Sequence, residues 1–126
     1  MKIVKNAEIR WVYFDKHDMF GGVHDDLPNN EYADVMFAKI IPNHTLHKHW
    51  HSRPGNDGYE SFFFYQGADI ELQLQDSNVI FHEEEPFTVT FYSNEIHGIK
   101  NIGSKDLYFQ VLTAPHFSDD EEHFVK

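Results

Sequence analysis

Ten histidines stand out in a chain of 126 residues that contains no cysteine. Three of them, His47, His49 and His51, alternate with other residues, so an extended backbone would project all three from one face of a strand. Neutral imidazole is the commonest protein ligand for transition metals, and an added carboxylate suits iron, manganese, nickel or zinc. The spacing therefore predicts a metal site that uses histidines of this segment.

Two later residues can complete such a donor set. Glu60 heads the next predicted strand, after the Ser52–Gly58 loop, and a hairpin can return its carboxylate to the histidines. His97 follows the segment Phe87–Tyr92, which is predicted below as a strand, and a short polar turn, so a further strand can deliver it. The residue types and their spacing are also consistent with an alternative, in which these histidines cluster by chance in a polar surface loop.

The elements that must position these side chains are predicted as strands. Alternation of apolar and polar residues, or a run of β-branched and aromatic residues between turn signals, is typical of strands. The segments with such patterns are Val35–Ile41, Glu60–Gln66, Ile70–Gln75, Val79–Phe81 as the beginning of a return strand, Phe87–Tyr92 and Leu107–Thr113. Turn signals recur roughly every 8–12 residues, the spacing of an all-β sandwich or barrel.

Two segments do not fit this strand pattern. His17–Glu31 is rich in Gly, Asp, Asn and Pro, and it is predicted as a long loop. Ser118–His123 is predicted as a charged, solvated end that could form a short helix.

Composition limits the possible classes of function. A mass of 14.9 kDa fits one domain, residues 1–126, and 40% hydrophobic residues can build its core. Ten Lys and Arg against 21 Asp and Glu give a formal net charge of −11, which opposes binding to nucleic acid or to an anionic membrane.

Without cysteine there is no disulfide, thiolate ligand or cysteine nucleophile. No apolar run of signal-peptide length begins the sequence, so a cytoplasmic location is expected.

The histidines and Glu60 resemble the first motif of the cupin family, which reads Gly, five residues, His-x-His, three or four residues, Glu, six residues, Gly. Glu60 and Gly67 keep the six-residue gap. Counting six positions back from His49 reaches Asn43, and Asn is the commonest substitute for Gly in left-handed turns. This register selects His49 and His51 as the pair.

His47 is the alternative member of the pair. Pairing His47 with His49 would place Ile41 at the turn position, which suits a left-handed conformation poorly. The gap between His51 and Glu60 is longer than in the family motif, but an insertion in such a loop costs little free energy.

The second cupin motif reads Gly, five residues, Pro-x-Gly, two residues, His, three residues, Asn. His97 and Asn101 keep its final spacing. The upstream half departs from the motif, because Pro86, Tyr92 and Asn94 occupy the positions of the first Gly, the Pro and the second Gly. The two motifs follow one another in the family's order and span nearly half of the chain.

The resemblance implies an all-β fold, the antiparallel double-stranded β-helix or jelly-roll barrel, with its motifs at about residues 35–115. It also implies that His49, His51, Glu60 and His97 bind one divalent transition metal (Fe, Mn, Ni or Zn), and that Asn101 holds the turn after the last ligand. Cupins include dioxygenases, isomerases, decarboxylases, lyases and cyclases. A metalloenzyme that acts on a small molecule is therefore the expected function.

Aromatic residues make up 16% of the chain. This content suggests a dry pocket for an organic substrate, and it favours an oxygenase among these enzyme classes. The alternative is a non-catalytic cupin that binds a sugar or small acid as a sensor or accessory module. Small cupins often pair through sheet edges, so a homodimer is the expected assembly.

Overall fold

The structure is a computed structural model that describes residues 1–53, 57–116 and 118–126. Within these ranges the chain forms strands joined by turns, with single-turn 3-10 helices at Asn6–Glu8 and Asp119–Glu121. The strands are β1 (Arg10–Phe14), β2 (Met19–Val23), β3 (Asp34–Ile40), β4 (Thr45–His51), β5 (Tyr59–Phe64), β6 (Ala68–Gln73), β7 (Asn78–Glu83), β8 (Phe87–Tyr92), β9 (His97–Asn101), β10 (Leu107–Ala114) and β11 (Glu122–Phe124). All six predicted strands are present, with ends displaced by one or two residues at most.

These strands form two antiparallel sheets. One sheet has the order β1-β2-β3-β10-β5-β8, and the other has the order β11-β4-β9-β6-β7. Between β3 and β10 the chain passes repeatedly from one sheet to the other, which is the winding of a double-stranded β-helix. The predicted all-β fold of this type is confirmed.

The core lies between the two sheets, because each sheet turns one apolar face inward. In β10, buried and half-buried residues alternate along the whole strand, as a period of two requires. The largest fully buried apolar side chains come from both sheets and are Phe62, Phe64, Phe109, Ile40, Leu46, Ile70 and Ile99. Burying each of them stabilises the fold by roughly 1.5–3 kcal/mol relative to leaving it exposed.

Left-handed residues occupy three of the motif positions that the cupin resemblance assigns to glycine. Asn43 has φ 67°, Asn94 has φ 70° and Gly67 has φ 72°. A side chain at Gly67 would also collide with the backbone of Glu83. The register chosen from the sequence therefore places residues that tolerate positive φ where the backbone needs them.

The predicted loop His17–Glu31 contains a strand, so this prediction is wrong in part. Strand β2 lies within it and pairs with both β1 and β3. Its sequence resembles a loop because Gly21 and Gly22 have low strand propensity. The close approach of neighbouring side chains requires these glycines, since a Cβ at Gly22 would lie 2.6 Å from Cγ2 of Ile9.

The C-terminal segment Ser118–His123 is not simply a solvated end. It forms the second 3-10 helix and begins β11, which extends the second sheet by pairing with β4. In the Ser52–Gly58 loop, Pro54, Gly55 and Asn56 lie outside the described residues. Among the residues that are described, no helix is long and apolar enough to cross a membrane.

Candidate metal centre

Strand β4 directs two histidines into the interior because its pairing with β9 contains a β-bulge. The pairing advances three residues along β4, from Leu46 to His49, while it advances two along β9. The extra residue breaks the alternation of faces, so Leu46 and His49 are both buried, as is His51, whereas His47 is exposed. The expectation that equal parity keeps His47 on the face of His49 and His51 is wrong for this reason.

Glu60 reaches the site from the facing sheet. Strands β4 and β5 belong to different sheets, so the expected hairpin between them does not form. Alternation in β5 turns Glu60 inward, where its Oε1 lies 2.9 Å from Nε2 of His97 and its Oε2 lies 3.7 Å from Nδ1 of His51. Thr113 on the adjacent β10 donates its hydroxyl to Oε2 of Glu60 at 3.2 Å.

The structure brings together the four residues that the sequence selects as ligands. His49, His51 and Glu60 each offer a ligand atom, and these atoms lie within 4.8 Å of one another. His97 adjoins them, since its ring centroid is 4.4 Å from that of His49. All four residues are between 1 and 7% exposed. A buried group of three imidazoles and one carboxylate is a suitable donor set for a divalent transition metal.

Backbone carbonyls orient two of the imidazoles. Nδ1 of His49 lies 2.7 Å from the carbonyl oxygen of His47, and Nδ1 of His97 lies 2.9 Å from that of Glu95. A carbonyl oxygen only accepts hydrogen bonds, so each Nδ1 carries a hydrogen and, in the neutral ring, each Nε2 keeps its lone pair. This is the state in which an imidazole binds a metal.

This orientation places two acceptors against each other. With its hydrogen on Nδ1, neutral His97 presents a lone pair at Nε2, 2.9 Å from the carboxylate oxygen of Glu60. Two acceptors at this distance require a cation between them, either a proton or a metal ion. The separation also fits two neighbouring ligands that each lie about 2.0–2.2 Å from one metal.

Burial and neighbouring charges set the protonation of the site. Burial, with the nearby His97, lowers the pKa of His49 to about 4. Burial alone would raise the pKa of Glu60. A hydrogen bond that Nε2 of His97 donates when a proton, and not a metal ion, lies between the two atoms opposes this effect, as does the charge of His51, and the pKa of Glu60 falls to about 2. At neutral pH, His49 is therefore neutral and Glu60 is ionised, as metal binding requires.

Two aromatic side chains pack against the imidazole ring of His97. Phe91 lies parallel to its ring, with centroids 4.3 Å apart, and Phe62 contacts the ring edge-to-face at 5.8 Å. Asn101, four residues further on, donates its amide to the carbonyls of Ile40 and Lys105 at 2.9 and 2.8 Å. Asn101 therefore fastens the turn that follows β9 and lies outside the donor set.

The C-terminal strand adds a second carboxylate that the sequence analysis missed. Glu122 pairs directly with His51 across β11 and β4. Its Oε2 lies 3.2 Å from Nε2 of His51 and 3.8 Å from Nε2 of His49, and its Oε1 lies 2.9 Å from Nε2 of His17. Burial alone would raise the pKa of Glu122, but hydrogen bonds with His17 and His51 lower it. A three-residue strand in a charged tail carries too little periodicity to be detected.

A cavity of about 260 Å³ adjoins the donor set. His49, Glu60, His17 and Glu122 contribute to its wall. The rest is mostly apolar, with Met19, Val23, Leu27, Val35, Met36, Leu46, Phe62 and Val111. Because sites for drug-sized ligands usually measure roughly 300–1,000 Å³, this cavity suits a small molecule.

No protein-family model matches this sequence, and no curated protein matches it. Solved structures match it by fold. The polyketide cyclase RemF from Streptomyces resistomycificus has a TM-score of 0.75 at 13% identity, covering 100% of this chain and 86% of that chain. A predicted oxalate decarboxylase from Thermotoga maritima has a TM-score of 0.69 at 16% identity, covering 91% and 100%.

A third match is a Klebsiella pneumoniae protein with a double-stranded β-helix domain. Its TM-score is 0.61 at 13% identity, and the match covers 79% of each chain. Identities this low are evidence for the fold alone. Together with the winding of the strands and the left-handed motif turns, these matches show that the chain has the double-stranded β-helix fold of the cupins.

Proposed function

We propose that this protein is a mononuclear metalloenzyme that acts on a small molecule. In this proposal His49, His51, Glu60 and His97 bind one divalent transition metal (Fe, Mn, Ni or Zn), and the adjoining cavity holds the substrate. The observation that carries the proposal is the facing pair formed by Nε2 of His97 and Oε1 of Glu60. A buried carboxylate needs a compensating cation, and the two further imidazoles favour a metal ion over a proton.

Catalysis is favoured over ligand capture because groups that can exchange protons surround the cavity. His17, His24 and Asp34 line it in addition to the proposed ligands. The mostly apolar wall suits an organic molecule with one polar end better than a sugar, which would need many hydrogen-bond partners. Two of the matched structures, the cyclase and the predicted decarboxylase, are named as enzymes, which agrees with this choice.

The metal, when bound, would supply Lewis acidity or, if it is redox-active, activation of dioxygen. The ionisable groups in the cavity favour proton-transfer chemistry, as in an isomerase, lyase or cyclase. An oxygenase is the second candidate, and the apolar part of the wall supports it because it suits an organic substrate. The aromatic content that favoured an oxygenase is weaker support, since Phe91 stacks behind His97 and does not line the cavity.

Elemental analysis of protein purified without added metal tests the proposal. We expect about one divalent transition metal per chain, and much less in His97→Ala. Bound iron or manganese with substrate-dependent oxygen uptake would select the oxygenase, and bound zinc would select proton-transfer chemistry. Failure of the full-length protein to retain any of the four metals after reloading would overturn the proposal.

Two expectations from the sequence stay predictions. Strands β7 and β8 each form one edge of a sheet, and the outward backbone groups of such an edge can pair with a second copy, so we propose a homodimer. Light scattering of the purified protein would measure its molar mass. We also propose a cytoplasmic location, which cell fractionation would test.

A further inference from the structure

The imidazole of His51 lies between two carboxylates. Its Nδ1 is 3.7 Å from Oε2 of Glu60, and its Nε2 is 3.2 Å from Oε2 of Glu122. In His49 and His97, a backbone carbonyl holds Nδ1. One imidazole binds a given metal through one nitrogen only, so the ring orientation of His51 decides which nitrogen faces the donor set.

The surroundings of Glu122 indicate that it accepts hydrogen bonds on both oxygens. Nδ1 of His17 is buried without a hydrogen-bond partner among the described residues. A buried N–H without an acceptor is costly, so the hydrogen of neutral His17 resides on Nε2, which lies 2.9 Å from Oε1 of Glu122. The other oxygen, Oε2, faces Nε2 of His51.

We infer that Glu122 is a positioning residue of the metal centre: by accepting the Nε2 hydrogen of His51, it holds that ring with Nδ1 towards Glu60. This inference rests on the ligand set of the proposed function. It gives His51 the tautomer opposite to that of His49 and His97. It also makes β11, which carries Glu122, a part of the metal centre. His17 holds the carboxylate of Glu122 in place by donating a hydrogen bond to its other oxygen, Oε1.

Metal affinity tests this role. Carboxylates that orient a ligating histidine typically contribute 10–100-fold to metal affinity. Titration of metal-free, full-length protein with Zn²⁺ against a competing chelator should therefore show roughly 10–100-fold weaker binding in Glu122→Ala. Glu122→Gln should lose less, because its amide oxygen still accepts one hydrogen bond. The control Asp119→Asn removes the same charge from an exposed position of the preceding 3-10 helix and should bind as the wild type does.

The tautomer of His51 is a second readout, and it needs no variant. In Zn²⁺-loaded wild type with ¹⁵N-labelled histidine, NMR should show His51 protonated on Nε2, and His49 and His97 protonated on Nδ1. A His51 ring that is protonated on Nδ1 and binds zinc through Nε2 would overturn the inference, even if Glu122→Ala proved too unstable to study.

The two proposals fail in different ways. If the wild type binds no Zn²⁺ and none of the other metals, the proposed function fails. If the wild type binds Zn²⁺ and a folded Glu122→Ala binds it equally well, only the role of Glu122 fails. Circular dichroism of each metal-free variant shows whether it is folded before its affinity is compared.

Discussion

The ring of Phe91 lies parallel to the imidazole of His97, with centroids 4.3 Å apart and planes inclined by 8°. Both residues are buried, and the carbonyl of Glu95 accepts the Nδ1 hydrogen of His97. The stack and the hydrogen bond together prevent the imidazole from turning about its side-chain bonds. Its Nε2 is therefore directed at Glu60 before any metal arrives.

Substitution of Phe91 by alanine should damage stability and metal binding together. Phe→Ala in a core typically costs about 3–5 kcal/mol, and the cavity left behind would let His97 rotate. Urea unfolding and chelator competition would measure the two effects. The control Phe64→Ala removes a buried ring that packs on Phe87, so it should lose similar stability and keep the metal affinity of the folded protein. Equal losses of affinity in both variants would contradict the orienting role of Phe91.

Substitutions in β4 should separate the two possible histidine pairs. His51→Ala should abolish metal retention, because it removes a buried imidazole from the donor set. His47→Ala should leave most of the metal bound, because that side chain is exposed and its backbone carbonyl still holds His49. Metal content after dialysis is the measurement. Equal losses, or a loss in His47→Ala alone, would mean that the pair is wrongly assigned.

Acid should destabilise the metal-free protein in a defined window. The pKa of His49 is about 4 in the folded chain and about 6.5 when unperturbed, so between these values the unfolded state binds more protons. The free energy of unfolding should therefore fall as pH drops from about 6.5 to about 4, by at most roughly 3 kcal/mol. Glu60 would add to the loss only below its usual pKa of 4.5, as pH falls towards about 2.

Urea unfolding at several pH values, with chelator present, would measure this loss. His49→Leu should flatten the curve in that window, because the apolar side chain has no proton to bind. A wild-type curve that is already flat between pH 6.5 and 4 would refute the assignment to His49.

Metal should make the pH dependence steeper. Each of the three imidazole ligands binds a metal only when its ligating nitrogen carries no proton, so metal affinity should fall as the solution becomes more acidic, and the stabilisation from binding to the folded state should fall with it. Thermal melting from about pH 8 to about pH 5 should thus show curves of the loaded and metal-free forms that converge at low pH. Curves that stay parallel would show that the metal is not coupled to the fold through histidine.

The sequence predicts those features that depend on local rules. Six strands follow from patterns of apolar and β-favouring residues, and the left-handed turns at Asn43 and Gly67 follow from the residue types that tolerate positive φ. These turns set the motif register, and the register selects His49 and His51. A short-range pattern therefore suffices to find the residues that the fold brings together.

The remaining features depend on long-range pairing. The bulge in β4 needs the partner β9, and this bulge is what separates His47 from His49. Glu60 faces the histidines because β4 and β5 belong to different sheets, and neither segment alone indicates this. Glu122 enters the site only because a short C-terminal strand pairs with β4. None of these pairings leaves a periodic signal in the segment concerned.

The donor set and one side of the cavity are encoded by different parts of the chain. Met19, Gly22 and Val23 of β2 line the cavity, and so do His24, Leu27 and Asn29. The proposed ligands lie between residues 49 and 97. A change of substrate during evolution, or in a designed library, can therefore proceed through residues 19–29 while the metal site is inherited intact. Gly22 is the position that such a library should leave unchanged, since any side chain there would collide with Ile9.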